Sequence, residues 1–108
     1  MPCPDTDALF RSLADPTRRG LFESLCRNGS QTVAALTAGA GISQPAVSKH
    51  LKVLRDAGLV SGTQSGRETR YAADPMALAP LADWTAEMTR FWDGRFDALA
   101  DLLKRMDR

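Results

Sequence analysis

The sequence predicts a mainly α-helical fold carrying one small β-hairpin. Three observations support this. Short amphipathic segments, most opened by a capping residue and closed by glycine, fill positions 7–58; the hydrophobic period changes after Gly58; and one long apolar-striped segment runs to Met106. A chain of 108 residues suffices for one modest domain with a single core, and neither an internal repeat nor a low-complexity linker divides it.

"DALFRSL" (Asp7–Leu13) opens the chain as a short amphipathic helix. In "DPTRRGLFESLCRNG", Asp15 is the N-cap, Pro16 takes the first helical position and Asn28-Gly29 is the stop, while Leu21, Phe22 and Leu25 form the core stripe. Thr32 caps a third helix, "VAALTAGA", which the glycine step after it ends. Ser43 caps a fourth, with Pro45 in its first turn and Gly58 placed for a left-handed C-terminal cap. "LVSGTQ" and "ETRYA" then have strand character about a turn glycine, giving a hairpin over about 59–72 with a basic tip. Pro75 and Pro80 belong near the start of the last segment, since an interior proline costs about 3 kcal/mol. A continuous helix over 80–106 would be about 40 Å long at 1.5 Å per residue.

The fourth helix, over about 43–57, has two distinct faces. Val47, Leu51 and Leu54 recur at helical spacing, while Gln44, Ser48, Lys49 and Lys52 fall opposite them and each carries a donor. Two short helices around a polar step form a helix-turn-helix, and a hairpin directly after it makes a winged helix. On such a frame Gln44 and Ser48 suit base edges in the major groove, and Lys49 and Lys52 suit bases or phosphates. Ser43 orients the first turn, whose free N–H groups and dipole favour a nearby phosphate. Arg67 and Arg70 on the wing are placed for the backbone or the minor groove. A lysine pair on one helix face is ordinarily just solvated; the glycine step and basic hairpin favour DNA over that plainer account.

Charge distribution agrees. The net charge is only +1, but positions 43–70 hold five bases against two acids (+3), and positions 74–108 hold five against seven (−2). One positive face on a near-neutral protein suits a polyanion. No apolar run is long enough to span a bilayer, and the acidic "MPCPDTD" start lacks a signal peptide's apolar region, so a cytoplasmic protein without membrane contact is expected. Cys3 and Cys26 make no disulfide framework.

"SQPAVSKHLKVLRDAGLV", preceded by "LADPTRRGLFESL" and followed by "GRETRYA", resembles the ArsR/SmtB family of winged-helix repressors, from about Leu13 to Leu103. The resemblance implies a homodimer that binds double-stranded DNA at an inverted-repeat operator and represses until a signal releases it. Ser43, Gln44, Pro45, Ser48, Lys49, His50, Lys52, Arg67 and Arg70 are the DNA-binding candidates. Metal-sensing members carry cysteines in the third helix or Asp, His and Glu ligands in the last. Here "SQTVAALTAGA" offers none of these, and the last helix has carboxylates such as Asp83, Glu87, Asp97 and Asp101 without His or Cys. No metal and no cofactor is therefore expected, and the inducer is undetermined. His50 reads as a packing or phosphate-facing residue, and Cys26, beside Leu25, as a buried inert thiol. A thiol- or metal-responsive sensor using Cys3 and Cys26 is the alternative; a winged helix serving only protein contacts is another, against which Arg67 and Arg70 count. With one His and two separated cysteines there is no nucleophile–base pairing, so no enzyme is expected.

The last helix carries the case for a dimer. Leu81, Trp84, Met88, Phe91, Trp92, Phe96, Leu99, Leu102, Leu103 and Met106 form a stripe too broad for so small a domain to cover. Part of it must pack on the chain's own helices, yet Phe91 beside Trp92 points apolar bulk in two directions. Gly94, costly in mid-helix by about 1 kcal/mol against Ala, suits close helix approach at a two-fold axis.

Overall fold

A computed structural model of the chain describes residues 4–106. Five α-helices and a three-stranded sheet follow one another: α1 (Pro4–Ala14), α2 (Pro16–Asn28), β1 (Gln31–Thr32), α3 (Val33–Ala40), α4 (Gln44–Asp56), β2 (Val60–Ser65), β3 (Glu68–Ala73), a 3₁₀ turn (Pro75–Leu78) and α5 (Ala79–Met106). Local chemistry explains most of the boundaries. Asp15 Oδ2 accepts from Arg18 N at 2.8 Å, Thr32 Oγ1 from Ala35 N at 3.1 Å and Ser43 Oγ from Ala46 N at 3.3 Å, so three helices begin on side-chain caps. Gly58 (φ 80°) ends α4, with Leu59 N returning to Leu54 O at 2.9 Å.

The sheet is larger than a hairpin. Its order is β1-β3-β2, all antiparallel, with Gln31 opposite Tyr71 and Thr32 opposite Arg70. β2 and β3 run in register from Val60–Ala73 to Ser65–Glu68. Between them, Gly66 (φ 64°) is the one central turn residue with positive φ, as a type II′ hairpin turn requires. Gly62 faces Tyr71 across the ladder, and a Cβ there would stand 3.1 Å from Tyr71 Cε1. The glycine leaves the ring room to lie over the strand.

The core consists of Leu9, Leu21, Phe22, Leu25, Leu36, Val47, Leu51, Leu54, Leu59 and Val60. Val47, Leu51 and Leu54, spaced by four and three, are fully buried, so α4 is anchored along its whole inner face. Leu51→Ala should cost about 2–5 kcal/mol, because the removed methyls leave a cavity within the fully buried cluster. Denaturant unfolding would register it as a lowered midpoint at unchanged slope.

None of these core residues comes from α5, from which, among the described residues, Leu81 alone packs against the cluster. Trp84, Phe91, Trp92, Leu99, Leu102, Leu103 and Met106 are exposed, Phe91 at 69%. The radius of gyration, 18.9 Å against about 13 Å for a compact chain of this length, reflects how far α5 projects. Met88 and Leu81 are half-buried, whereas the Phe96 side chain lies outside the described residues.

Candidate nucleic-acid interface

The helix-turn-helix is built from α3 and α4. Gly41 (φ 70°) turns the chain, Ile42 packs inward and Ser43 closes the first turn of α4. With Val47, Leu51 and Leu54 turned into the core, Gln44, Pro45, Ser48, Lys49 and Lys52 are all solvent-exposed, as is Ser43. The polar and apolar faces of α4 are thus separated as the 3.6-residue period demands.

The wing joins this surface at its N-terminal end. A cleft of about 230 Å³ is lined by Thr32, Val33 and Ala34 of α3's start, by Gln44, and by Arg67, Glu68 and Thr69 of the hairpin. It brings one donor of α4 and one cation of the wing beside the N-terminus of α3, whose positive dipole end favours anionic oxygen. Glu68 is the acidic member of the cleft, so Arg67 rather than the hairpin as a whole supplies the positive charge there. Gln64 stiffens the tip: its Nε2 donates to Gly66 O at 3.2 Å, and its Oε1 accepts from Thr69 Oγ1 at 3.1 Å.

Arg70 is placed differently from Arg67. Its Nε donates to Ser30 Oγ and its Nη2 to Ser30 O, each at 3.3 Å, tying β3 to the segment before β1. Ser30 was not singled out by sequence reasoning, because the bond spans forty residues. His50 is half-buried on the flank of α4's core face and does not share the full exposure of Lys49 and Lys52. The Asp15 carboxyl is held below its usual 3.8, chiefly by the Arg18 backbone N–H that it accepts, with His50 among the smaller influences.

That shift has a definite sign. A carboxyl whose folded pKa is depressed stabilises the fold fully above its ordinary pKa, and the contribution is lost as pH falls through the depressed value. Asp15→Asn should therefore lose stability at neutral pH and show a flatter decline below pH 3.8 than the parent, as read by thermal unfolding at a series of acid pH values.

Cys26 is exposed, against the expectation of a buried thiol. The α2 stripe is centred on Leu25, and Cys26 lies about 100° further round the helix, past the edge of that stripe. Cys3 lies outside the described residues. Among the described residues no group of three or more His, Cys, Asp or Glu is placed to hold a metal ion, and no helix is long and apolar enough to cross a membrane.

Phe10 of α1 meets Trp84 of α5 edge-on, with ring centroids 5.1 Å apart and planes at 83°. Further along, the Arg95 guanidinium lies 4.8 Å from the Trp92 ring centroid. Phe10 was overlooked in the sequence, although Leu9-Phe10 carries the same adjacent-apolar signal as Phe91-Trp92.

Residues 15–61, spanning α2 through the start of the wing, match the family model described as bacterial regulatory protein, arsR family. Among curated proteins the chain is 46% identical over 84 residues to a probable mercury resistance operon repressor of Streptomyces lividans, covering 75% of this chain and 66% of that protein. It is 38% identical over 97 residues to an HTH-type transcriptional regulator of Mycobacterium tuberculosis, covering 90% of this chain and 87% of that one. Among solved structures, an ArsR-like transcriptional regulator from Rhodococcus sp. RHA1 superposes with a TM-score of 0.73 at 31% identity, over 91% of this chain and 92% of the other.

Proposed function

Since the chain belongs to the ArsR family of bacterial regulatory proteins and is a DNA-binding transcriptional repressor of the winged helix-turn-helix type, we propose that it acts as a homodimer on an inverted-repeat operator. In this reading α4 enters the major groove. Gln44 and Ser48 meet base edges, Lys49 and Lys52 meet bases or phosphates, and Arg67 reaches the flanking backbone from the wing. Ser43 and Pro45 shape the first turn that presents them. Arg70 supports the wing through Ser30 rather than leading the contact.

The observation that carries this is the convergence of Gln44 and Arg67 on one cleft, beside the exposed polar face of α4. Dimerisation is supported by the uncovered aromatic and aliphatic face that Phe10, Trp84, Phe91 and Leu99 share across α1 and α5. In a two-fold dimer the same patch serves both copies, and the two α4 helices meet successive major grooves about one helical turn apart, roughly 34–36 Å. Footprinting the protein on the DNA upstream of its own reading frame tests this. Protection of two symmetric half-sites on one face of the duplex supports the proposal; protection without symmetry or sequence preference counts against it.

A thiol- or metal-responsive repressor is the second reading, and the exposure of Cys26 is the observation in its favour. Operator affinity measured with mercury(II), zinc, arsenite or an oxidant decides it. A loss in the parent that vanishes in Cys3→Ser/Cys26→Ser supports a sensor; indifference to all four assigns release to another signal.

A further inference from the structure

Only Asp15 separates α1 from α2, and this one-residue corner joins the face proposed to pair two copies to the helices proposed to read DNA. The last turn of any helix leaves carbonyl oxygens without intrahelical partners. In α1 three consecutive ones are taken up by two arginines of α2. Arg18 Nε donates to Ser12 O at 2.6 Å and its Nη2 to Arg11 O at 3.0 Å, while Arg19 Nη1 donates to Leu13 O at 3.0 Å. The backbone N–H of Arg18 closes the corner on Asp15 Oδ2, and Arg19 N bonds Asp15 O at 2.9 Å.

Cations at a helix C-terminus are favoured by its dipole, but the geometry matters more here. A rigid guanidinium fork bonded to two neighbouring carbonyls fixes the direction of approach, which a single flexible ammonium does not. On one side of the clasp, α1 carries Phe10, stacked edge-on against Trp84 of α5. On the other, α2 carries Leu21, Phe22 and Leu25, which share a core with Val47, Leu51 and Leu54 of α4. Leu9 of α1 joins that same core, so the clasp acts together with this packing to fix the angle between α1, which carries Phe10 of the pairing face, and α4.

The geometry points to Arg18, with Arg19 beside it, as a positioning residue that sets the separation of the two α4 helices in the dimer and so selects the operator's half-site spacing. This rests on the dimeric-operator reading above. "DPTRRG" thereby gains a role that neither base contact nor core packing gives it, since Arg18 is half-buried with Nε and Nη2 committed to α1.

The test compares full-length parent, Arg18→Ala, Arg18→Lys and Arg19→Ala by sedimentation, and by binding to the footprinted operator and to versions with the spacer lengthened or shortened by one and two base pairs. The parent should be dimeric and lose about tenfold or more per altered spacer, the scale of a mismatched base pair. Arg18→Ala should remain dimeric, and its ratio between spacers should fall to within about twofold, with isolated half-site affinity unchanged. Lysine should restore little of the ratio, because it keeps the charge without the fork, and Arg19→Ala should give an intermediate loss. A purely stabilising role would lower the melting temperature and leave the ratio intact. A dimeric Arg18→Ala that keeps the parent's spacing preference overturns the inference alone, and if that variant does not fold, a dimeric Arg18→Lys with full preference does the same. A monomeric parent overturns the dimeric reading and this inference with it.

Discussion

Phe91→Lys combined with Leu99→Lys should abolish the dimer and, with it, nearly all operator affinity. Both side chains are at least half exposed in the single chain, so neither substitution removes core packing. In a dimer the same positions bury two apolar groups per copy, and four uncompensated ammonium groups would oppose association. The expected outcome is a folded monomer with unchanged helical content. Its DNA affinity should fall about a thousandfold or more, toward the nonspecific level, because half-site contacts alone no longer act together. Sedimentation velocity and a gel-shift titration on the same samples check both halves. A variant that unfolds would place these residues in the fold, and one that still dimerises would place the interface elsewhere.

Replacing Lys49, Lys52 and Arg67 together by alanine should flatten the salt dependence of binding. Each neutralised phosphate contributes about 0.9 to the slope of log affinity against log salt, so six lost contacts per dimer amount to about five units of slope. All three side chains are exposed, and the fold should keep its stability within about 0.5 kcal/mol per substitution. Arg70→Ala provides the contrast. Its guanidinium is engaged by Ser30, and its removal should loosen the wing while changing the slope much less. Affinity measured between low and moderate salt separates the two cases.

What the sequence disclosed follows from how local each interaction is. Asp15, Thr32 and Ser43 cap the amide three residues ahead, and each helix start was legible for that reason. Gly58 and Gly66 sit where positive φ is needed, at a helix end and at a hairpin turn. The polar face of α4 was legible because burial of Val47, Leu51 and Leu54 leaves the opposite positions outside. By contrast, β1 is two residues long, too short for any period, and exists because β3 pairs with it from forty residues away. Arg70's anchor on Ser30 depends on that same distant pairing. The first helix ran further than its apolar pattern indicated, from Pro4 to Ala14, and its arginine caps come from the next helix. Cys26 was misplaced because adjacency to Leu25 says little on a helix, where the next residue points about 100° away.

Whether a dimer reads sequence through α4 is decided by a stoichiometric titration. Purified protein is added to a fluorescent operator duplex and to a duplex of shuffled sequence, using the parent and Gln44→Ala. The expected result is two chains per operator, an advantage of operator over shuffled DNA of about a thousandfold, and a smaller advantage in Gln44→Ala with nonspecific affinity retained. One chain per operator, or equal affinity of the parent for both duplexes, would contradict it.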